Sequence, residues 1–306
     1  MTVSRLRSTE AITNSADYWP NLSAAYSAGG SSWSTYQFTG NGQDSINGQN
    51  YRVHRLELSS LGSQFAVSTT ISFSKAGYID FILVAGGGAA GMYNTVGGAG
   101  GGAGGVVMQY GYYVDATSYA ASVGIGGLTY SANGPGTDGG NSVFAAFTAV
   151  GGGGGGTTSG IGRSGGSGGG TSYNYAASPV GTSGTAGQGN AGGGKSQSSC
   201  ASGGGGWATA APYNSYGTDR GSNGGDGLGT YFDGTFRAFA CGGGAGSTVT
   251  TGGLGGSVNG VVYGGTGLLG GSLPALPTAP GCGGGGNSTY PSGSGSGGML
   301  LIRYKI

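Results

Sequence analysis

Residues 78–91 read YIDFILVAGGGAAG, and two kinds of backbone meet within this segment. The run FILV at 81–84 is apolar on both faces of an extended chain, which predicts a strand buried inside a β-sandwich. The glycine run that follows opens a different region. Only 7 of the 80 glycines fall in residues 1–84, which leaves 73 in residues 85–306, about one third of that stretch.

A glycine content of one third is compatible with collagen, with a disordered linker, or with an array of polyproline-II-type helices. Collagen requires a Gly-X-Y register and much proline, but the chain has 8 prolines and no sustained register. Disorder goes with few aromatic residues and a high net charge, whereas this chain is 10% aromatic with a net charge of +1. The sequence therefore predicts polyglycine helices that pack side by side.

Such helices satisfy their backbone only through their neighbours. A polyproline II helix turns every three residues and makes no internal hydrogen bonds, so its buried N–H and C=O groups need partners on adjacent chains. A helix surrounded on all sides then requires glycine at every position, which suits 151–156, whereas the interrupted run 263–271 suits an edge. Because ordering glycine is costly, we expect the array to pack on a conventional core formed by strands before residue 150.

Segments rich in β-branched and aromatic residues, separated by turn-forming residues, predict strands. They lie at 51–60, 64–73, 78–86, 106–114, 118–126, 142–151 and 299–306. In the first of them the apolar residues change face between Val53 and Leu56, and a bulge near Arg55 would reconcile the two halves.

Charge and cysteine usage narrow the class of protein. Only 7% of residues are charged and no basic cluster occurs, which disfavours nucleic acid or an anionic membrane as the main partner. We expect neither a membrane span nor a secretory signal, because no apolar run is long enough. Cys200, Cys241 and Cys282 are spaced 41 residues apart, which indicates a repeating structural unit, and their odd number favours a reduced, cytoplasmically assembled product.

Four segments resemble the glycine-rich domain of tail-fibre proteins of tailed bacteriophages. In that family a strand enters a glycine stretch, a VGxGG segment and an SSF…ATGGGGG segment follow, and the chain closes on G…GVIIRY. The corresponding segments occur here in the same order over residues 64–306, as FSKAGYIDFILVAGGGAAG (73–91), ASVGIGG (121–127), GGNSVFAAFTAVGGGGGG (139–156) and GSGSGGMLLIRY (293–304).

The glycine runs are also similar to the extracellular glycine-rich region of the anaplastic lymphoma kinase receptors, from which this chain departs in its cysteine pattern and N-terminus. The resemblance implies an all-β fold, a tumour-necrosis-factor-like β-sandwich with an inserted bundle of polyglycine II helices. We expect an N-terminal attachment region in residues 1–60 and the sandwich in 61–150, closed by strand 299–306. The array with its displayed loops would occupy 151–298.

The resemblance further implies a virion protein of the tail fibre or fibre tip, assembled in the host cytoplasm as a homotrimer. Its partners would be a host surface glycan or outer-membrane protein, together with other virion tail or fibre proteins. A second hypothesis is a structural decoration or fibre-joining protein without receptor binding. Ice binding is disfavoured by the irregular aromatic loops between the glycine runs.

The aromatic loops are the predicted recognition elements. Tyr, Trp, Ser, Asn and Gly dominate 171–179, 207–220, 230–239 and 287–294, and this is the composition of evolved binding loops. Aromatic rings also stack on sugar rings. The alternative is that these rings cap the array or pack against its sides. The predicted receptor-binding residues are Tyr173, Tyr175, Trp207, Tyr213, Tyr216, Tyr231 and Phe232.

No motif predicts an enzyme, a cofactor or a metal site. GNAGGGKS at 189–196 matches the phosphate-binding loop pattern, but neither a strand before it nor a helix after it is predicted. His54 is interpreted as structural, and the cysteines, which lack CxxC spacing, as buried spacers between glycine helices. A depolymerase would need two carboxylates held in a cleft. The best candidates, Asp219, Asp226 and Asp233, are interpreted as solvated turn residues.

Overall fold

The computed structural model is all-β, with no helix among the residues that it describes. Those residues are 24–26, 36–43, 50–57, 66–92, 97–129, 133–157, 160–172, 181–195, 201–214, 220–247, 251–268, 276–288 and 291–305. The strands are β1 (Ala24–Tyr26), β2 (Tyr36–Gln43), β3 (Asn50–Glu57), β4 (Val67–Ser72), β5 (Gly77–Val84), β6 (Val106–Val114), β7 (Ser118–Val123), β8 (Ser142–Phe144), β9 (Phe147–Ala149), β10 (Leu228–Thr230), β11 (Arg237–Phe239), β12 (Ser257–Val258), β13 (Val261–Val262) and β14 (Met299–Lys305).

Two five-stranded antiparallel sheets share one hydrophobic core. The first sheet has the order β1-β4-β7-β8-β9 and the second β2-β3-β14-β5-β6. Phe81 at the centre of β5 packs edge-to-face against Phe144 of the first sheet, with ring centroids 5.1 Å apart. Ile71, Val123, Leu83 and Ile302 belong to the same buried cluster. Since residues from both sheets fill one interior, the sheets form a sandwich. The tumour-necrosis-factor-like topology stays a prediction.

From Phe81 to Val84, strand β5 is buried on both faces, as its sequence predicted. Phe81 and Leu83 face the core between the sheets, whereas Ile82 and Val84 belong to a second cluster on the outer face. Phe239 of the β10–β11 hairpin lies in that second cluster. The second sheet is therefore covered on one side by the first sheet and on the opposite side by part of the glycine-rich region.

The same arrangement corrects the prediction of a bulge near Arg55. Strand β3 pairs with β14 in continuous register from Glu57↔Met299 to Tyr51↔Lys305. The apolar residues change face because both faces are buried, with Val53 in the outer cluster and Leu56 in the inter-sheet core. The second sheet does contain an irregularity, but it lies between Ile79 and Phe81 on the β5–β6 side.

The boundaries of the sandwich differ from those predicted. Strands β1 to β3 pair within the two sheets, so part of residues 1–60 belongs to the sandwich. Strands β1 and β2 were not predicted, because their sequences, AAY and YQFTGNGQ, carry no clear alternation of apolar residues. The array also begins earlier than 151, because segments 85–92 and 97–105 lie within it. An attachment role for residues 1–60 stays a prediction.

The glycine segments bond laterally with a period of three residues. In segment 85–92, the N···O distances to neighbouring segments of the same chain lie between 2.8 and 3.1 Å. Every third N–H group donates to the same neighbouring segment. The N–H groups of Ala85, Gly88 and Gly91 donate to segment 99–105. Those of Gly86, Ala89 and Met92 donate to segment 134–140, and those of Gly87 and Ala90 donate to segment 293–296. Backbone groups that would otherwise be buried without partners thus form hydrogen bonds with other segments of the chain.

Segment 97–105 lies at the centre of this array. Every N–H from Gly98 to Gly105 donates to another segment. The surrounding segments, identified by their hydrogen bonds, are 85–91, 150–156, 167–170, 202–205, 243–246 and 281–287. A Cβ added at Gly101 would lie 2.1 Å from the carbonyl oxygen of Gly88, closer than real Cβ contacts allow.

The prediction of glycine at every interior position is too strict. Ala99 and Ala103 lie within the central segment and are fully buried. Ala103 packs into the outer hydrophobic cluster with Val84 and Val106, so its methyl group occupies space next to the sandwich. Single methyl groups therefore fit at these two interior positions, and one of them packs against apolar side chains of the sandwich.

His54 is half-buried on β3, where its Nε2 lies 3.3 Å from the Tyr304 hydroxyl and the two rings stack with centroids 5.6 Å apart. Burial, and secondarily the positive charge of Arg52, lowers the pKa of His54 from 6.5 to about 4. The imidazole is therefore neutral in the folded protein at neutral pH, in agreement with a structural role.

Folding stability is expected to fall between pH 6.5 and pH 4. In this window the unfolded chain binds a proton on His54 that the folded chain does not, so acidification favours unfolding. The loss is of order 3 kcal/mol at most, since each pKa unit corresponds to about 1.4 kcal/mol. Denaturant titrations across this range check it. His54→Gln, which cannot titrate, should flatten the dependence, and an equally steep dependence in that variant would contradict the assignment.

Candidate functional site at the ends of the glycine array

The array has two ends that the chain path defines. Ala85, Gly105 and Gly298 directly join strands β5, β6 and β14, so they mark the sandwich end. Segments 85–92 and 97–105 run antiparallel, with Ala85 bonded to Gly105 and Gly91 bonded to Ala99. Met92 and Gly98 therefore mark the far end of the array.

Hydrogen bonds to segment 97–105 place the other segments along this axis. The residues bonded near the far end are Gly156, Gly170, Ser202, Gly246 and Asn287, whereas those bonded near the sandwich end are Val150, Gly205 and Gly281. The chain consequently crosses the array repeatedly, and each crossing adds a rigid, hydrogen-bonded support for the connections at either end.

Two predicted binding loops are flanked by residues at the far end. Thr171, just before 173–180, exchanges hydrogen bonds with Ser202. Asn214, just before 215–219, donates from its side-chain amide to the carbonyls of Ala201 and Arg220, both at 2.8 Å. Tyr173, Tyr175 and Tyr216 themselves lie outside the described residues.

Tyr213 is described, and its side chain is 46% exposed. It precedes Asn214, whose N–H donates to Gly194 at the far end. Of the predicted receptor-binding residues within the described part, Tyr213 is therefore the one that combines exposure with a position near the far end.

The remaining predicted residues lie at the sandwich end. The backbone N–H of Trp207 donates to the Ala240 carbonyl at 2.9 Å, and the partly buried Trp207 ring packs on the outer cluster of the second sheet. Tyr231 is 55% exposed at the tip of the β10–β11 hairpin, where its ring packs on Phe236. Among the described members of the predicted set, the structure thus places Tyr213 near one end of the array and the others at the opposite end.

Phe232 is a correction to the predicted set. Its ring is 4% exposed and lies 4.3 Å from the guanidinium carbon of Arg303. The Tyr51 ring lies at the same distance from that carbon, so Arg303 is held between two aromatic rings. Arg303 also donates to Asp80 at 3.0 Å and to the Phe232 carbonyl at 2.8 Å. Phe232 therefore joins the hairpin to the sandwich and does not face a receptor.

A polar cleft that the sequence did not predict lies between the two hairpins at the sandwich end. Its volume is about 300 Å³, and its lining residues are Asp226, Gly227, Gly229, Ser257, Val258, Asn259 and Gly260. Asp226 is exposed, as its interpretation as a turn residue implied, but its Oδ1 accepts hydrogen bonds from the N–H and hydroxyl of Ser257. The Asn259-Gly260 pair between Val258 and Val261 is a strong hairpin signal that could have located this wall.

The phosphate-binding-loop pattern at 189–196 lies within the array. The N–H groups of Gly192 and Gly193 donate to Thr182 and Gly203, both at 2.9 Å, so they are not directed at a ligand. Lys195 is fully buried. This segment is a lateral partner of its neighbours and does not have the strand-loop-helix context that phosphate binding requires.

Cys241 and Cys282 are both buried, as their interpretation as spacers predicted, and the Cys241 N–H lies 3.1 Å from the Cys282 sulfur. The hydrogen bond with Cys282 and burial raise the pKa of the Cys241 thiol, which keeps it protonated. Cys200 lies outside the described residues. Within the described ranges, no group of three or more His, Cys, Asp or Glu side chains could hold a metal ion.

Taken with the two sheets, the lateral hydrogen bonds define a class of all-β protein in which a sandwich supports a glycine-rich array. The chain belongs to the glycine-rich domain family, whose model matches residues 59–305. No curated protein matches the chain. Where the structure describes the chain, none of it forms a helix able to cross a membrane.

Proposed function

We propose that this chain is a non-enzymatic virion adhesin, in a tail fibre or at its tip, that recognises a host-cell surface receptor through loops on a polyglycine scaffold. Membership of the glycine-rich domain family supports the scaffold, and the four ordered motifs resemble phage tail-fibre proteins. By that resemblance the protein is a homotrimer, assembled in the host cytoplasm, that also contacts other virion proteins.

We also propose that the glycine segments are polyglycine II helices. Their lateral hydrogen bonds repeat every three residues, which matches a helix of three residues per turn. Positive φ occurs among the described glycines at Gly111, Gly187, Gly234, Gly260 and Gly281, and none of these lies in the central segment 97–105. Such helices make a rigid platform, because each one is fixed by several neighbours.

One observation carries the adhesin proposal. The residues that flank Tyr173, Tyr175 and Tyr216 lie at the far end of the array, and exposed Tyr213 lies near them. Aromatic contact residues held on rigid supports lose little conformational entropy on binding, which favours a recognition surface. The described flanking residues and Tyr213 lie away from the sandwich, which leaves the sandwich available for attachment to the fibre.

A specific surface favours the structural alternative, a virion decoration or fibre-joining protein without receptor binding. Tyr78, Tyr110 and Tyr113 are exposed by 63%, 60% and 50% on strands β5 and β6. Tyr110 and Tyr113 lie on the edge strand β6, Tyr78 lies on the strand next to it, and exposed aromatic side chains are enriched at protein interfaces. Such a surface would suit contacts with other virion proteins through the sandwich.

The adhesin proposal is tested by binding of fluorescently labelled protein to a panel of bacterial strains, measured by flow cytometry. Tyr213→Ser combined with Tyr216→Ser should reduce binding to the recognised strain at least tenfold, because hot-spot aromatic residues carry much of the binding energy. Tyr113→Ser, an exposed tyrosine on the sandwich, is the matched control and should bind normally. Failure of the unmodified protein to bind any strain, or equal losses in both variants, would favour the structural role.

A further inference from the structure

We propose that the cleft between the β10–β11 and β12–β13 hairpins is a binding site for a neutral saccharide, with Asp226 and Asn259 as its polar contacts. The chemistry of the ligand follows from the cleft alone. Its biological source, a host-surface glycan, rests on the proposed adhesin function.

The Asp226 carboxylate is held in a fixed orientation. Its Oδ1 accepts from the Ser257 N–H at 2.9 Å and from the Ser257 hydroxyl at 2.8 Å. Both bonds go to one oxygen, which leaves Oδ2 available as an acceptor for a ligand. A carboxylate with its rotamer already fixed accepts hydroxyl protons in strong charge-assisted hydrogen bonds, without the entropy cost of ordering a free side chain.

The opposite wall is a tight turn that places polar groups at the surface. Asn259 and Gly260 have φ of 52° and 78°, the left-handed conformation of a two-residue hairpin turn. The Asn259 side chain offers both an amide donor and a carbonyl acceptor. Gly229 and Gly260 carry no side chains and are exposed, so no side chain at these two positions fills the cleft.

The composition of the cleft selects a hydroxyl-rich, uncharged ligand. No Lys or Arg is among its lining residues, and the carboxylate would repel phosphates and other anions. A single carboxylate is insufficient for Ca²⁺, which takes six to eight oxygen ligands. Val258 provides the only apolar side chain of the lining, whereas peptide recognition relies on pockets for several side chains. Hydroxyl groups that both donate and accept match the Asp, Ser and Asn side chains.

Aromatic side chains adjoin this wall of polar groups. A Cβ added at Gly229 would lie 3.0 Å from the Phe236 ring, and the Tyr231 ring packs on Phe236 with centroids 5.3 Å apart. Tyr231 is 55% exposed. An aromatic face beside converging hydrogen-bonding groups can stack on a sugar ring while the polar groups fix its orientation.

The test is an array of immobilised neutral bacterial polysaccharides, followed by calorimetric titration of an oligosaccharide from the polysaccharide that binds. Asp226→Asn is expected to weaken binding at least tenfold. Asn259→Gly should do so too, and it keeps the fold because glycine adopts positive φ without strain. Asp115→Asn, which removes an exposed carboxylate beyond β6, should bind normally. No bound neutral saccharide, unchanged affinity in both cleft variants, or binding of peptides instead would overturn the assignment.

The same variants separate this inference from the adhesin function. If Asp226→Asn loses the saccharide but the far-end tyrosine variant alone loses cell binding, the cleft and the receptor surface are distinct sites. If cells bind but no saccharide does, the saccharide site is wrong and the adhesin proposal stands. If saccharide binds but no bacterial strain does, the saccharide site stands and the adhesin proposal is wrong.

Discussion

Replacing Gly243 with valine is expected to lower the melting temperature by at least about 5 °C, or to prevent folding, because no side chain fits there. A Cβ at Gly243 would lie 1.9 Å from the Gly284 carbonyl oxygen. The neighbouring segments cannot move apart without breaking two hydrogen bonds, from the Gly243 N–H to the Gly101 carbonyl and from the Gly204 N–H to the Gly243 carbonyl, both 2.9 Å long. Overpacking costs about 1–3 kcal/mol and each lost hydrogen bond about 1 kcal/mol. Thermal unfolding followed by circular dichroism measures the change.

Gly160→Ala is the matched control. The nearest atom to a Cβ at Gly160 is the Thr157 carbonyl oxygen at 3.6 Å, an ordinary contact. Alanine at such a compatible site stabilises by up to about 1 kcal/mol, because it restricts the unfolded chain. If Gly243→Val prevents expression, Gly243→Ala adds the same single carbon as the control and allows direct comparison. Equal melting temperatures for Gly243→Ala and Gly160→Ala would show that the array is not closely packed.

Arg303→Met is expected to destabilise the protein by about 3–5 kcal/mol, because it leaves the partly buried Asp80 carboxylate without its charge partner. Arg303 is 8% exposed and contacts the second sheet and the hairpin together. Asp80 would retain only its bond from the Gly111 N–H at 2.8 Å among those that the structure describes. Urea titration gives the free energy of unfolding.

Two comparisons make the Arg303 result specific. Arg163→Met removes the exposed pair with Asp138, in which both side chains are nearly half exposed, and a hydrogen bond to the Gly136 carbonyl, and should cost less than about 2 kcal/mol. Adding Asp80→Asn to Arg303→Met should recover part of the loss, because it removes the unpaired charge. A loss for Arg303→Met no larger than that for Arg163→Met would contradict the proposed joint between hairpin and sandwich.

The sequence predicted the parts of the fold that local pattern controls. The run at 81–84 is apolar at successive positions because both faces of β5 are covered, and this was readable directly. The glycine runs likewise indicated chains whose backbones approach one another closely. Strands β1 and β2 were not predicted, because pairing with other strands, and not a local apolar pattern, determines them.

The partners of each glycine run could not be predicted. Gly101 donates to Gly284 and accepts from Gly243, but the three local sequences are nearly identical, so local pattern does not distinguish one partner from another. The hydrogen-bonding partners of each glycine run are instead determined by the positions at which the chain enters and leaves the sandwich. For the same reason the sequence did not separate Tyr213 near the far end from Trp207 and Tyr231 at the sandwich end.

The candidate cleft was missed because its key contact is non-local. Asp226 and Ser257 are 31 residues apart, and only the packing of two hairpins brings them together. Phe232 was placed among receptor contacts because composition does not reveal burial. Its partner Arg303 is 71 residues away, on the closing strand β14.

Hydrogen exchange at segment 97–105 tests the central claim most directly, that the glycine runs form a packed scaffold. Every N–H from Gly98 to Gly105 donates to a neighbouring segment, so these amides should exchange as slowly as those of strand β5. Mass spectrometry of peptides covering 97–105 and 77–84 measures both in one experiment. Exchange of the glycine segment within seconds, while β5 stays protected, would contradict the scaffold.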